Sequence, residues 1–164
     1  MYSLLTNKAF DFISPHENKI LSTYISYRDG GDRYSIGFGN ISYPGEIIDY
    51  DEAVIRCKDY IQKDINELEN QTWFSILSDE KKISILDFAY QAGKYGDKFR
   101  NLRDKIVSSG VTENDFKTGY ENQSRVNNRW HMFNSSFKVD LYTASLTIPF
   151  LVLFTLAILK KLLG

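Results

Sequence analysis

The C-terminal part of this 164-residue chain places the strongest constraint on its fold. Residues 141–159 contain no charged side chain, and Lys160 and Lys161 follow them directly. A helix of this length spans roughly 28 Å, close to the ~30 Å hydrocarbon core of a bilayer. A buried core helix or an interfacial helix is the alternative, but a core helix normally shows a polar face, and residues 149–159 are apolar nearly all round. The segment therefore predicts a transmembrane helix followed by a basic tail, residues 160–164.

The preceding part of the chain is long enough for one folded domain with its own core. We expect this domain to span residues 1–134 and a short polar linker, residues 135–140, to join it to the membrane helix. The formal net charge of −1 gives no electrostatic reason to expect nucleic-acid binding. A single cysteine, Cys57, excludes an intrachain disulfide, and with only two histidines it also argues against a structural zinc site. The first residues lack the features of a signal peptide, so none is expected.

Sequence patterns in residues 1–134 predict a mostly helical domain with one small β-hairpin near the N-terminus, which is an α+β fold. Apolar residues recur at helical spacing in five or six segments, of which residues 48–68 form the longest. Asp49 and Glu52 have the spacing of a capping box at the start of this segment. The other predicted helix boundaries are Ser14-Pro15, Ser78, Gly93, Gly110 and Thr112.

The predicted hairpin contains residues 27–40, YRDGGDRYSIGFGN. The strand-forming runs YISYR and RYSIGFG flank a turn at residues 29–32, whose two glycines allow the positive φ angles of a tight turn. Gly37 and Gly39 fall in the second strand, where the lack of a side chain lets a ligand approach the backbone closely. The hairpin is therefore either a plain structural element or one wall of a cleft that binds a sugar chain.

Three polar side chains near the hairpin are candidates for glycoside hydrolysis. Glu17 either caps a helix, in a capping box with Ser14, or lies in the cleft as a general acid. Asp29 would then orient or activate a water molecule, or attack the sugar directly, and the Ser35 hydroxyl would hold that water. A hairpin that folds back on the preceding helix end would bring the three groups into one cleft. The residues alone leave both interpretations of Glu17 open.

These residues and their order resemble the signature of phage-type lysozymes, the endolysins of glycoside hydrolase family 24. Glu17 is followed by the Tyr-x-Asp of residues 27–29 and by Ser-Ile-Gly-Phe-Gly at residues 35–39, where the family has Thr-Ile-Gly-x-Gly. Downstream, SDEKKISILDFAYQAGKYGDKF is similar to the long central helix of the family, and SRVNNRW is similar to its late arginine-containing helix. The similarity covers roughly residues 7–134.

The resemblance implies a lysozyme-like fold and a muramidase that cleaves the β-1,4 bond between N-acetylmuramic acid and N-acetylglucosamine. This chemistry needs no metal ion and no organic cofactor. The resemblance implies peptidoglycan glycan strands as partners, and the predicted membrane helix implies a lipid bilayer through residues 141–159 and other virion membrane proteins. The implied catalytic residues are Glu17 as general acid, Asp29 to activate water and Ser35 to assist it, and the predicted substrate contacts are Gly37, Gly39 and Gln91.

The predicted anchor determines where such an enzyme acts. A single C-terminal helix would hold the domain at the internal membrane of a virion or at the cytoplasmic membrane of a host. From the first location it would open the cell wall during phage entry, and from the second it would act in host lysis. The sequence leaves these two roles open.

Departures from the family pattern keep two other functions open. A lytic transglycosylase requires only Glu17 and releases an anhydro product. Asn18, Asn40 and the long interval between Glu17 and Asp29 differ from the family, and they favour an inactive lysozyme-like protein that serves as a structural or wall-binding component of a virion membrane. Arg125 and Arg129 are expected either to clamp an acidic side chain from the first helix turns or to contact wall carboxylates, and we favour the structural clamp.

Overall fold

The computed structural model describes residues 1–17, 23–25, 27–28, 33–119 and 123–135. Within these ranges the chain forms mostly helix, with short antiparallel strands near the N-terminus, which confirms the α+β fold class. The turn with Asp29 and the predicted membrane segment 141–159 lie outside the described residues. Among the residues that are described, no helix is both long enough and apolar enough to cross a membrane.

The described elements follow one another in the order that the sequence predicts, helix first, then strands, then the remaining helices. The α-helices are α1 (Leu4–Ile13), α2 (Tyr50–Glu69), α3 (Thr72–Ser75), α4 (Asp79–Ala92), α5 (Asp97–Val107) and α6 (residues 123–135). Two short 3₁₀ helices cover Ser14–His16 and Glu113–Phe116. The strands are β1 (Thr23–Ile25), β2 (Tyr27–Arg28), β3 (Tyr34–Ile36), β4 (Asn40–Ser42) and β5 (Ile47–Asp49).

The strands form two small sheets rather than one hairpin. Strands β2 and β3 pair antiparallel with Tyr27 opposite Ser35, which confirms the predicted hairpin, and β4 extends that sheet. The run YISYR is not one strand, however, because β1 pairs with β5 in a separate sheet. The prediction that Gly37 and Gly39 lie within a strand was also wrong. Their φ angles of +61° and +95° turn the chain between β3 and β4.

The end of α1 places Glu17 at the edge of the helical core. The helix begins with Ser3, whose hydroxyl accepts a hydrogen bond from the Thr6 backbone N–H. It ends at Ile13, as Ser14-Pro15 predicted, and the chain continues as one 3₁₀ turn. Glu17 follows this turn with extended backbone, so its side chain leaves the direction of the helix.

Helix α2 forms one side of the domain. Asp49 caps it by accepting a hydrogen bond from the Glu52 N–H at 2.8 Å, which confirms the predicted helix start. Buried residues then recur at helical spacing along one face, and they include Cys57. Gly37 packs against this helix, since a Cβ atom at Gly37 would lie only 2.9 Å from the Cβ of Ala53. The glycine therefore lets the turn between β3 and β4 approach α2 closely.

Helix α4 is the centre of the core. Every residue from 82 to 89 is buried, because α1, α2, α5 and α6 surround it. The Ser84 hydroxyl donates a hydrogen bond to the Arg129 carbonyl at 2.9 Å and so links α4 to α6. The helix stops at Gly93, whose φ of +74° confirms the predicted end. This central position brings the C-terminal turn of α4 close to the strands.

Candidate active site

Glu17 makes a long-range ion pair rather than a helix cap. Its Oε1 atom accepts a hydrogen bond from Arg125 Nη1 on α6 at 2.7 Å, across 108 positions of sequence. The Glu17 backbone N–H donates to the Ser14 carbonyl, as expected for a turn that ends a helix. The capping-box interpretation was therefore wrong, because Ser14 ends α1 and the Glu17 carboxylate points to α6.

Arg125 connects Glu17 to a second carboxylate on the central helix. Its Nε and Nη2 atoms donate to the two carboxylate oxygens of Asp87 at 3.2 and 2.6 Å. Arg129 donates from Nε to the same Asp87 carboxylate at 2.5 Å. Asp87 and Arg129 are fully buried, and only 3% of the Arg125 side chain is exposed. The structural clamp predicted for the two arginines thus includes Glu17, but its centre is Asp87 on α4.

The environment of Glu17 favours the protonated form of its carboxyl group. Only 18% of the side chain is exposed, and this burial raises the pKa of Glu17 above its ordinary value. Arg125 opposes that rise, whereas the nearby charge of Asp87 adds to it. Burial and the positive charge of Arg125 lower the pKa of the neighbouring His16. A carboxyl group that keeps its proton to higher pH is suited to general-acid catalysis.

A cleft of about 890 Å³ lies between the strands, α2 and the end of α4. Ser35, Gly39 and Asn40 line it from the strand side. Gly39 also borders Glu17, because a Cβ atom at Gly39 would lie 3.9 Å from Glu17 Oε2. Glu17 is not itself a lining residue, and Gly39 lies between its carboxyl group and the cleft. The volume is in the range of sites that take small ligands or a few units of a polymer.

The structure brings several predicted site residues to this cleft and leaves others away from it. Ser35 is 6% exposed and lines the cleft on β3. Gln91 lines it too, but its Oε1 atom accepts a hydrogen bond from Arg129 Nη2 at 2.6 Å, so this amide is also part of the arginine cluster. Gly37 is buried against α2 and is not one of the lining residues. Asp29 lies outside the described residues.

The sequence did not predict the roles of three residues at the site. Asp87 is the one acidic residue in the buried run from 82 to 89, and a charge inside such an apolar segment was the available signal. No site role was predicted for Tyr60, but it lines the cleft, 38% exposed, and its ring packs edge-to-face on Tyr90 at 5.4 Å between centroids. Tyr90 also lines the cleft and donates to the Phe38 carbonyl at 2.8 Å. Its hydroxyl therefore ties α4 to the turn that carries Gly39.

Within the described ranges, no group of three or more histidine, cysteine, aspartate or glutamate side chains could hold a metal ion. No protein-family model matches the chain. A search of curated proteins found no match either. The similarity to phage-type lysozymes therefore depends on the motifs of the sequence, and the case for a site depends on the geometry around Glu17.

Proposed function

We propose that this protein is a peptidoglycan hydrolase of the muramidase type, with Glu17 as its general acid. The observation that carries the proposal is the position of the Glu17 carboxyl group. It is largely buried, it has a raised pKa, and it lies behind Gly39, a residue without a side chain that lines a cleft of about 890 Å³. The motif resemblance supplies the substrate class, the glycan strands of the bacterial cell wall.

In the proposed reaction, a glycan strand lies in the cleft along Gly39 and Ser35. The Glu17 carboxyl group protonates the oxygen of the scissile glycosidic bond as that bond breaks. A water molecule, oriented or activated by Asp29 and held by the Ser35 hydroxyl, adds to the sugar carbon and passes its proton to the Asp29 carboxylate. Tyr60 provides an aromatic surface at the α2 wall of the same cleft. Neither role of Asp29, as base or as nucleophile, changes the requirement for a proton on Glu17.

The proposal also includes a location. Residues 141–159 would anchor the enzyme in a bilayer, with Lys160 and Lys161 beyond the helix. An anchored muramidase acts on wall that lies next to its own membrane, as required for entry from a virion with an internal membrane or for lysis from a host membrane. Finding the protein in purified virions supports the entry role, and finding it only in lysing cells supports the lysis role.

The test uses the full chain in detergent micelles with purified peptidoglycan. Wild type, Glu17→Gln and Glu69→Gln are compared by turbidity and by mass analysis of the released fragments. Glu69→Gln is the matched control, since Glu69 pairs with Lys82 at 2.8 Å and does not line the cleft. We expect reducing muramic-acid ends from wild type and from the control, and at least a ~10²-fold loss of rate in Glu17→Gln.

Other outcomes separate the competing functions. Anhydro-muramic ends that depend on Glu17 would identify a lytic transglycosylase. Binding to peptidoglycan without release of fragments from the folded wild type would overturn the enzymatic proposal, and it would favour a wall-binding virion protein on the same scaffold.

A further inference from the structure

We propose that Asp87 is a positioning residue that acts on Glu17 through Arg125. In this inference, which rests on the proposed function, Asp87 fixes the direction of the Arg125 guanidinium so that the Glu17 carboxyl group is held at Gly39. It also prevents Arg125 from acting on Glu17 with its full positive charge. The motif resemblance assigned no role to Asp87, and the assignment depends on contacts alone.

Asp87 fixes the orientation of the Arg125 guanidinium group. Asp87 binds Arg125 side-on, through Nε and Nη2, and this double contact fixes the plane of the guanidinium group. In that plane Nη1 donates to Glu17 Oε1 at 2.7 Å. The direction in which Arg125 reaches Glu17 is therefore set by Asp87, which belongs to the most deeply buried helix of the domain.

Asp87 is itself held in place by Arg129. Arg129 donates to its carboxylate from Nε and to its backbone carbonyl from Nη2 at 3.3 Å. The same guanidinium donates from Nη1 to the Phe116 carbonyl at 3.0 Å. Because Asp87 is fully buried and held from two sides, it gives Arg125 a rigid reference point.

The charge of Asp87 also acts on Glu17. Asp87 and Glu17 share the positive charge of Arg125, so the pairing that would otherwise hold Glu17 ionised is divided between two carboxylates. The pKa of Glu17 is accordingly raised by the charge of Asp87 as well as by burial. Among the described residues, the titratable and charged groups that face Glu17 are His16 beside it, Cys57 on α2, Asp87 and Tyr90 on α4, and Arg125 and Arg129 on α6.

The experiment measures the titration of the Glu17 carboxyl group by carbon NMR in the full chain, together with the pH dependence of peptidoglycan cleavage. Asp87→Asn removes the charge but keeps the shape, and we expect the Glu17 midpoint and the alkaline limb of activity to move to lower pH. Arg125→Gln removes the opposite charge, and both should move to higher pH. Asp87→Glu, which keeps the charge, should restore most of the wild-type pH profile.

Asp64→Asn is the matched control because Asp64 is another buried carboxylate that pairs with Lys94 at 2.7 Å and does not line the cleft. It should leave the Glu17 midpoint unchanged. If Asp87→Asn fails to fold, Asp87→Ser, a smaller neutral side chain, takes its place with the same expected shift to lower pH. Midpoints that stay in place in the folded variants would overturn the inference and leave Asp87 as a link between α4 and α6. Midpoints that move as expected while wild type cleaves no glycan would uphold the inference and overturn the proposed function.

Discussion

Two ion clusters in this domain each join a buried aspartate and a glutamate through one cation, but in different surroundings. One joins Glu17 and Asp87 through Arg125, and the other joins Asp64 and Glu67 through Lys94, at 2.7 and 2.6 Å. Burial raises the pKa of Glu17 in the first cluster and of Asp64 in the second. Neither Glu17 nor Asp64 lines the large cleft, but Glu17 lies directly behind its lining residue Gly39, where a Cβ atom would be 3.9 Å from Glu17 Oε2. A raised pKa therefore does not mark a catalytic carboxyl group unless that group also borders a site for substrate.

The cations of the two clusters differ in a way that fits this distinction. Lys94 offers a compact ammonium group that both of its carboxylates can approach from several directions. Arg125 offers a planar fork with fixed directions, so its contact with Asp87 determines where it meets Glu17. Either cation stabilises a buried carboxylate, but only the arginine also fixes the direction in which a second carboxylate is held.

The largest expected effect is on stability in Asp87→Asn. The substitution leaves the buried Arg129 with a neutral partner and Arg125 with Glu17 alone, and breaking a buried pair in this way costs about 3–5 kcal/mol of unfolding free energy. Urea denaturation of the full chain, followed by circular dichroism, measures the loss. A loss smaller than that of Asp64→Asn under the same conditions would contradict the central role of Asp87.

A smaller effect is expected from Asp64→Asn. Lys94 is 7% exposed and loses one of its two carboxylates, but Glu67 stays in contact at 2.6 Å. We therefore expect a loss of about 2 kcal/mol in unfolding free energy. Peptidoglycan cleavage, measured as released reducing ends, should stay close to wild type. A strong loss of activity in a folded variant would remove the distinction between the two clusters.

The sequence predicted the fold class and most element boundaries because those depend on local patterns. Capping at Asp49, termination at Gly93 and the pairing of β2 with β3 each follow from residues a few positions apart. The assignment of YISYR to one strand was wrong because its first half pairs with β5, a partner that no local signal specifies. Pairing between distant strands depends on tertiary contacts, which the pattern of one strand does not contain.

The same limit applies to the site. Glu17 was singled out by the motif, but the residues that hold it, Arg125 and Asp87, lie 108 and 70 positions further along the chain. Their contacts depend on how α4 and α6 pack together. A charge within the apolar run of α4 indicates that a buried partner exists, but not which one. The local evidence for Glu17 as a helix cap was equally good before the position of α6 was known.

The next expected effect is at Gly39, which lies between Glu17 of the first cluster and the cleft. Gly39→Ala and Gly45→Ala each put a side chain at a positive φ, +95° and +79°, which costs about 1–2 kcal/mol. A methyl group at residue 39 lies 3.9 Å from Glu17 Oε2, whereas one at residue 45 has nothing within 4 Å. Both variants should therefore lose similar stability, but only Gly39→Ala should lose activity. Equal activity in the two would show that substrate does not approach Gly39.

The smallest expected effect is the pH dependence of stability that each raised carboxyl pKa produces. The folded state favours protonated Glu17, so this contribution is full below about pH 4 and is lost as the pH rises through the pKa of the folded state. Glutamine has no such proton, and the stability of wild type relative to Glu17→Gln should fall over that range and then stay constant. Urea denaturation between pH 3 and pH 8, at intervals of about half a unit, measures the difference.

The stability of wild type relative to Asp64→Asn should also fall as the pH rises, because burial raises the pKa of Asp64 as well. Stability would then respond to pH alike in both clusters, while the pH profile of glycan cleavage would respond to Glu17 alone. A difference between wild type and Glu17→Gln that grows with pH would mean that Arg125 outweighs burial, and Glu17 would then be held as a carboxylate. In that case the group could not donate the proton that the proposed reaction requires.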